Sequence, residues 1–163
     1  MKQRKQRGVA AVELALIIVP LLIATFGITE LGRALYQYNA LVKASRDAVR
    51  YLALQDLANL STGERATVYN TTRSLAVCGA EVCTDATPAL ASGLVTTQVS
   101  LCDYLTCAPT HKGVLTGAGS VDLVTVTIGG TGSQAFNFTS LVPFVIPSMA
   151  FSPIKTTMAS RYF

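Results

Sequence analysis

The sequence contains no tryptophan and a single histidine, His111, and only 13% of its residues are charged. One histidine excludes a histidine-rich metal cluster, and its Pro-Thr-His-Lys-Gly setting predicts an exposed turn rather than a catalytic base. Nucleophile elbow, Walker loop and dinucleotide fingerprint are all missing, and the glycines of residues 114–120 lack the strand–helix setting of a phosphate loop. Asp85, Asp103 and Asp122 are too scattered to argue for a carboxylate pair. The expectation is a protein that is not an enzyme, with no catalytic residue, cofactor, metal or small-molecule substrate. The net charge of +4 suggests nucleic acid at first sight. However, Lys2, Arg4, Lys5 and Arg7 supply four of the 13 basic side chains, leaving nine against nine acids. The basicity is a feature of the N-terminus, not a phosphate-binding surface, so no nucleic-acid partner is expected.

What the chain has instead is a long apolar run. After Gly8 it stays apolar from Val9 to Thr29, with Glu13 as its one charge. A helix rising ~1.5 Å per residue needs about 20 such residues to cross a ~30 Å hydrocarbon core. A cleavable secretory signal would have a shorter apolar core and small residues at its end. Thr25-Phe26-Gly27 is a poor version of that end. Glu13 is also costly, at roughly 2.5–3.5 kcal/mol for an acid in mid-membrane on insertion scales, so it points to a specific use. The cations before the run place the N-terminus in the cytoplasm and the bulk of the chain outside.

Gly8, four residues, then Glu13, directly after a basic leader, resembles the prepilin cleavage motif of type IV pilins and pseudopilins. The resemblance implies cleavage after Gly8 by a prepilin peptidase, making Val9 the new N-terminus and Glu13 its fifth residue. It also implies that Glu13 meets the N-terminal amine of a neighbouring subunit and sets the register of assembly. A buried charge is tolerable when it is paired and hydrogen-bonded in this way. Without such a partner, Glu13 would have to stay hydrated near the cytoplasmic interface.

The helical pattern continues beyond the membrane. Leu31, Leu35, Tyr38, Val42, Ser45, Val49 and Leu52 recur at four- and three-residue spacing, which places them on one stripe. No glycine or proline interrupts residues 33–60, so the expected helix runs from about Val9 to Leu60, on the order of 75 Å. Pro20 should kink or soften its membrane part, and Gly27 and Gly32 offer flat patches to another helix. Residues 26–51 are similar to the TadE-like family, minor pseudopilins of the tight-adherence (Tad/Flp) pilus system. Glu30-Leu31-Gly32-Arg33 resembles that family's Glu-x-Gly-Arg run, and Ala44, Arg46, Arg50 and Tyr51 match its Ala-x-Arg-x-Gly-x-Arg-Tyr pattern. Ala48 stands where the family often has glycine. Leu14 follows the glutamate where an aromatic residue is common, which points away from the major pilus subunit. Glu30, Arg33, Arg46 and Arg50 are the interaction candidates; the simpler alternative is solvated or headgroup-level charges on a long helix.

Ser61-Thr62-Gly63-Glu64 is a capping box that opens a second helix reaching roughly Ala76. Residues 78–93 read as loop. Cys78 and Cys83 have the same spacing as Cys102 and Cys107. In an exported chain this favours two disulfides, in any of three connectivities, over a four-thiolate zinc site. Strands are expected at 94–101, 121–128 and about 155–162, in an antiparallel sheet of three or four strands covering the outer half of the long helix. Leu141 to Phe151 is almost wholly apolar but contains Pro143 and Pro147, so it neither spans a bilayer nor forms a regular helix. It reads first as a buried loop beneath the sheet. The alternative is an exposed apolar surface for a neighbouring subunit or the outer leaflet.

The expected architecture is α+β and pilin-like: a long N-terminal transmembrane helix continuing outside the membrane, packed with a short helix against a small antiparallel sheet. Its parts would be a leader (1–8), a transmembrane segment (9–32), an extracytoplasmic extension (33–60) and a globular head with the four cysteines (61–163). The resemblance implies a single-pass inner-membrane protein with an extracytoplasmic head, able to be incorporated into a pilus. Its implied partners are prepilin peptidase, other pilin-like subunits, inner-membrane Tad assembly proteins and membrane lipid. The rival readings are an uncleaved envelope protein whose head binds a ligand or cell-wall component, and a soluble module released by ordinary signal cleavage.

Overall fold

The computed structural model describes residues 6–117, 119–130 and 132–161. Lys2, Arg4 and Lys5 of the leader, and Tyr162 at the end of the expected last strand, lie outside these. In chain order the elements are α1 (Gln6–Ala53), α2 (Thr62–Cys78), β1 (Val99–Cys102), the one-turn α3 (Ala108–His111), β2 (Val114–Thr116), β3 (Gly119–Val121), β4 (Leu123–Ile128), β5 (Asn137–Phe138), β6 (Met149–Ala150) and β7 (Ile154–Ala159). The α+β expectation holds: one long helix, one short helix and small antiparallel sheets.

The helix α1 runs unbroken through Pro20 but stops at Ala53, seven residues short of the expected Leu60. The reason is tertiary. The amides of Leu54 and Gln55 turn back to the carbonyls of Tyr51 and Leu52, tightening the last turn, and Leu57 then drops into the core with no exposed surface. The Ala53 carbonyl, left open at the helix end, accepts the Arg161 amide at 2.9 Å. By contrast, α2 starts where local chemistry says it should. The Ser61 hydroxyl accepts the Glu64 amide, while the Glu64 carboxylate accepts the Ser61 amide at 2.9 Å. Gly79, at φ 70°, closes α2 in the left-handed conformation that glycine adopts without strain.

The main sheet has the order β1-β4-β7, antiparallel throughout, with Leu101 opposite Val126 and Val126 opposite Thr156. The expected first strand is shorter than predicted. Residues 96–98 form a 3-10 turn, because the Gln98 side chain accepts the Val95 amide and donates to the Ala135 carbonyl. The sheet lays β4 and β7 across α1, and α2 packs against α1 and β1. Val124, Val126 and Ile128 meet Leu41, Val49, Leu52 and Leu57 in one core. Ser45 crosses the same interface to Thr156, oxygen to oxygen, at 2.8 Å.

The buried stripe of α1 departs from the expected one at its lower end. Val49 and Leu52 are buried as expected, and Ser45 with them, but the turns below bury Glu30, Ala34 and Leu41 while leaving Leu31 and Leu35 over half exposed. In the lowest of these turns Glu30 and Ala34 face the head, while Leu31 and Leu35 face away. Tyr38 is also largely exposed, although its ring meets Phe151 edge-on at 5.8 Å.

Candidate assembly and membrane-boundary site

The exposed half of α1 comes first. From Gly8 to Phe26 every described residue of the helix is exposed, including Val9, Leu16, Ile17 and Leu21. The helix is long and apolar enough to cross a membrane, and none of its most apolar window is covered by the rest of the chain. That fits a single-pass membrane protein, because each large aliphatic side chain gains about 1.5–3 kcal/mol on leaving water. Glu13 lies on this bare helix, exposed, with no ion pair among the described residues. Gly8 has open space around it. No partner of Glu13 is found among the described residues.

The character of the helix changes at Glu30. Its carboxylate Oε2 accepts from Arg33 at 2.9 Å and from the Leu141 amide at 3.3 Å. Arg33 also donates to the Thr139 carbonyl at 2.5 Å, and its guanidinium carbon sits 4.5 Å from the centre of the Phe138 ring. Two charges three residues apart on the helix therefore hold down residues 138–141 of the head. The side chain of Glu30 is 4% exposed and that of Arg33 28%. Within this chain they are tied to the head and are not free headgroup-level charges. Arg46 and Arg50 behave differently: both are exposed on the dressed half of α1, with no ion pair among the described residues. They remain available to an outside acid.

The apolar stretch after this node is not the buried loop expected from its composition. Leu141 is 75% exposed and Phe144 79%. A turn at 142–146 carries these side chains outward, and Val145 rests beside the flank of Gly27, its Cγ1 3.4 Å from where a β-carbon would stand. Gly27 thus accommodates the chain's own loop, whereas Gly32 has open space.

The head also holds two disulfides and a buried polar group around His111 and Asp103. Cys78 is bonded to Cys83, and Cys102 to Cys107. The sulfurs of Cys102 and Cys107 lie with a His111 ring nitrogen in a group compact enough for a metal. Both sulfurs are in the disulfide, however, and the imidazole nitrogens lie 2.7 Å from the Thr110 hydroxyl and 2.8 Å from that of Thr125. His111 is buried, contrary to the expected exposed turn, because α3 folds it onto β4 beneath the disulfide. Asp103, fully buried, accepts from the amides of Leu105 and Thr106 and from the Tyr69 hydroxyl at 2.9 Å. Burial and the neighbouring Asp103 carboxylate push the Tyr69 phenol up to about 12. The Ser61 hydroxyl and amide hold the Glu64 carboxyl below its ordinary value.

Residues 8–50 match the family model of TadE-like proteins. The chain is TadE-like over that segment. The TadE-like segment is nearly the whole of α1, bare half and dressed half together, and contains Gly8, Glu13, Glu30, Arg33, Arg46 and Arg50. The disulfides, the sheet and the 138–146 loop lie beyond it. No curated protein and no solved structure matches the chain.

Proposed function

We propose that this TadE-like chain is a minor pseudopilin, a structural and assembly component of a Tad/Flp-type pilus machine supporting adherence or secretion. In this reading the chain is inserted in the inner membrane through α1 and cleaved after Gly8 by prepilin peptidase. The head stands outside the cytoplasm, and assembly draws α1 against the helices of other pilin-like subunits. The observation that carries the reading is the division of one helix inside the family match. Residues 8–26 are bare and apolar with one carboxylate that has no ion pair among the described residues, and the face from Glu30 onward is clothed by the chain's own head. A bare apolar helix supplies binding energy in lipid and then in a helix bundle. Glu13 supplies register, since leaving that carboxylate unpaired in an apolar bundle is costly. Other pilin-like subunits, inner-membrane Tad proteins and lipid are the partners this arrangement serves.

The test is the intact mass of the protein recovered from its native membrane, with and without Gly8→Ala. Mature chain beginning at Val9 in the wild type, replaced by full-length chain in the variant, is the expected result. Full-length chain in both would remove processing and leave an uncleaved single-pass envelope protein.

A further inference from the structure

We propose that the 141–146 turn is a second membrane contact, which seats the head on the outer leaflet beside its own α1. The proposal rests on α1 crossing the bilayer. Three observations converge on lipid as the occupant. The first is continuity: Val145 packs beside Gly27, so the exposed apolar turn adjoins the bare apolar part of the helix. The second is depth. Gly27 lies about 27 Å along the axis from Val9 at ~1.5 Å per residue, close to the far edge of a ~30 Å hydrocarbon core. The Glu30–Arg33 pair stands one turn further, at the level of the headgroups.

The third observation is the backbone. A segment entering lipid must satisfy its own N–H groups. Leu141 donates to Glu30, Val142 to the Ser140 hydroxyl, and Val145 and Ile146 both to the Val142 carbonyl. Pro143 and Pro147 have no N–H to satisfy. The composition agrees, since no charged side chain occurs from Leu123 to Ile154. Leu141 and Phe144 therefore project from a turn in which every N–H except that of Phe144 has a partner, and the outer leaflet can accept them.

The absence of tryptophan makes the test direct. Phe144→Trp, Ile18→Trp and Leu115→Trp each give the full chain one reporter, on the turn, on α1 and on the β2–β3 hairpin. Each variant is reconstituted at one chain per nanodisc in phosphatidylcholine brominated near either the glycerol or the methyl end of its acyl chain. The turn reporter should emit at short wavelength and lose most of its emission to the shallow bromines. The helix reporter should be quenched by the deep ones, and the hairpin reporter by neither. A quenched helix reporter with an unquenched turn reporter would overturn the leaflet contact and leave the span standing. If the turn reporter emitted at short wavelength yet ignored both lipids, protein would be its cover, which also overturns the proposal. An unquenched helix reporter would bring down the span, and the leaflet contact with it.

Discussion

The two halves of α1 are built from similar material and used in opposite ways. Below Gly27 the helix shows Leu, Ile and Val on all sides and meets nothing in its own chain. From Glu30 to Ala53 the same rod carries Ala, Ser and Leu on its covered face, and two strands and a second helix close over it. What separates them is patterning. Polar residues such as Asn39, Lys43, Arg46, Asp47 and Arg50 line the outer side of the upper half, defining one face that water can keep and one that the head must take. An all-round apolar rod has no such preference, and lipid or other helices suit it better than water.

The contrast can be broken most sharply by truncating a side chain on either half. Leu52→Ala, at a position with no exposed surface, should destabilise the head by about 2–5 kcal/mol in urea titrations of the detergent-solubilised chain. Leu16→Ala, at 72% exposure, should change the same midpoint by under about 0.5 kcal/mol. Equal losses at the two positions would mean the head also leans on the lower half.

A smaller effect should come from the junction. Arg33→Ala removes the donor to Thr139 and the cation over Phe138 while leaving the core intact. Amide exchange should then rise on the order of tenfold across residues 139–146, with the sheet amides unchanged. A uniform rise through the sheet would make the pair part of the global fold instead of a local clasp.

The smallest effect lies in the head and is alkaline. The folded chain holds the Tyr69 proton more tightly than the unfolded chain, so this contribution is complete below about pH 10 and lost as pH rises toward about 12. Melting temperatures of the wild type and Tyr69→Phe should diverge across that window, with only the wild type losing this contribution. Parallel curves would show that burial and Asp103 do not hold the phenol as described.

Much of this was legible because its causes are local. The apolar run is its own signal, and the Ser61–Glu64 reciprocity needs only four residues. The helix end at Ala53 was not, since no glycine or proline marks it and its last carbonyl is satisfied by Arg161. Glu30 and Arg33 stood out in the sequence, but their shared target lies more than a hundred residues away. Periodicity picked Leu35 for the buried stripe because it weighs residues by hydrophobicity. The head instead sits on Ala34, where a small side chain allows close approach. Burial of His111 had no sequence signal either, because it depends on α3 docking against β4.

The Ser45–Thr156 contact spans 111 residues of chain, and that separation has a consequence in time. Ribosomes add about 5–20 residues per second, so on the order of ten seconds pass between synthesis of the helix and synthesis of the strand that closes over it. Throughout that interval the inner face of the upper helix is uncovered. The helix therefore exists for that interval without the sheet that buries its inner face. Any chaperone binding the unfinished chain would find its target on the face of α1 that is hidden in the folded molecule.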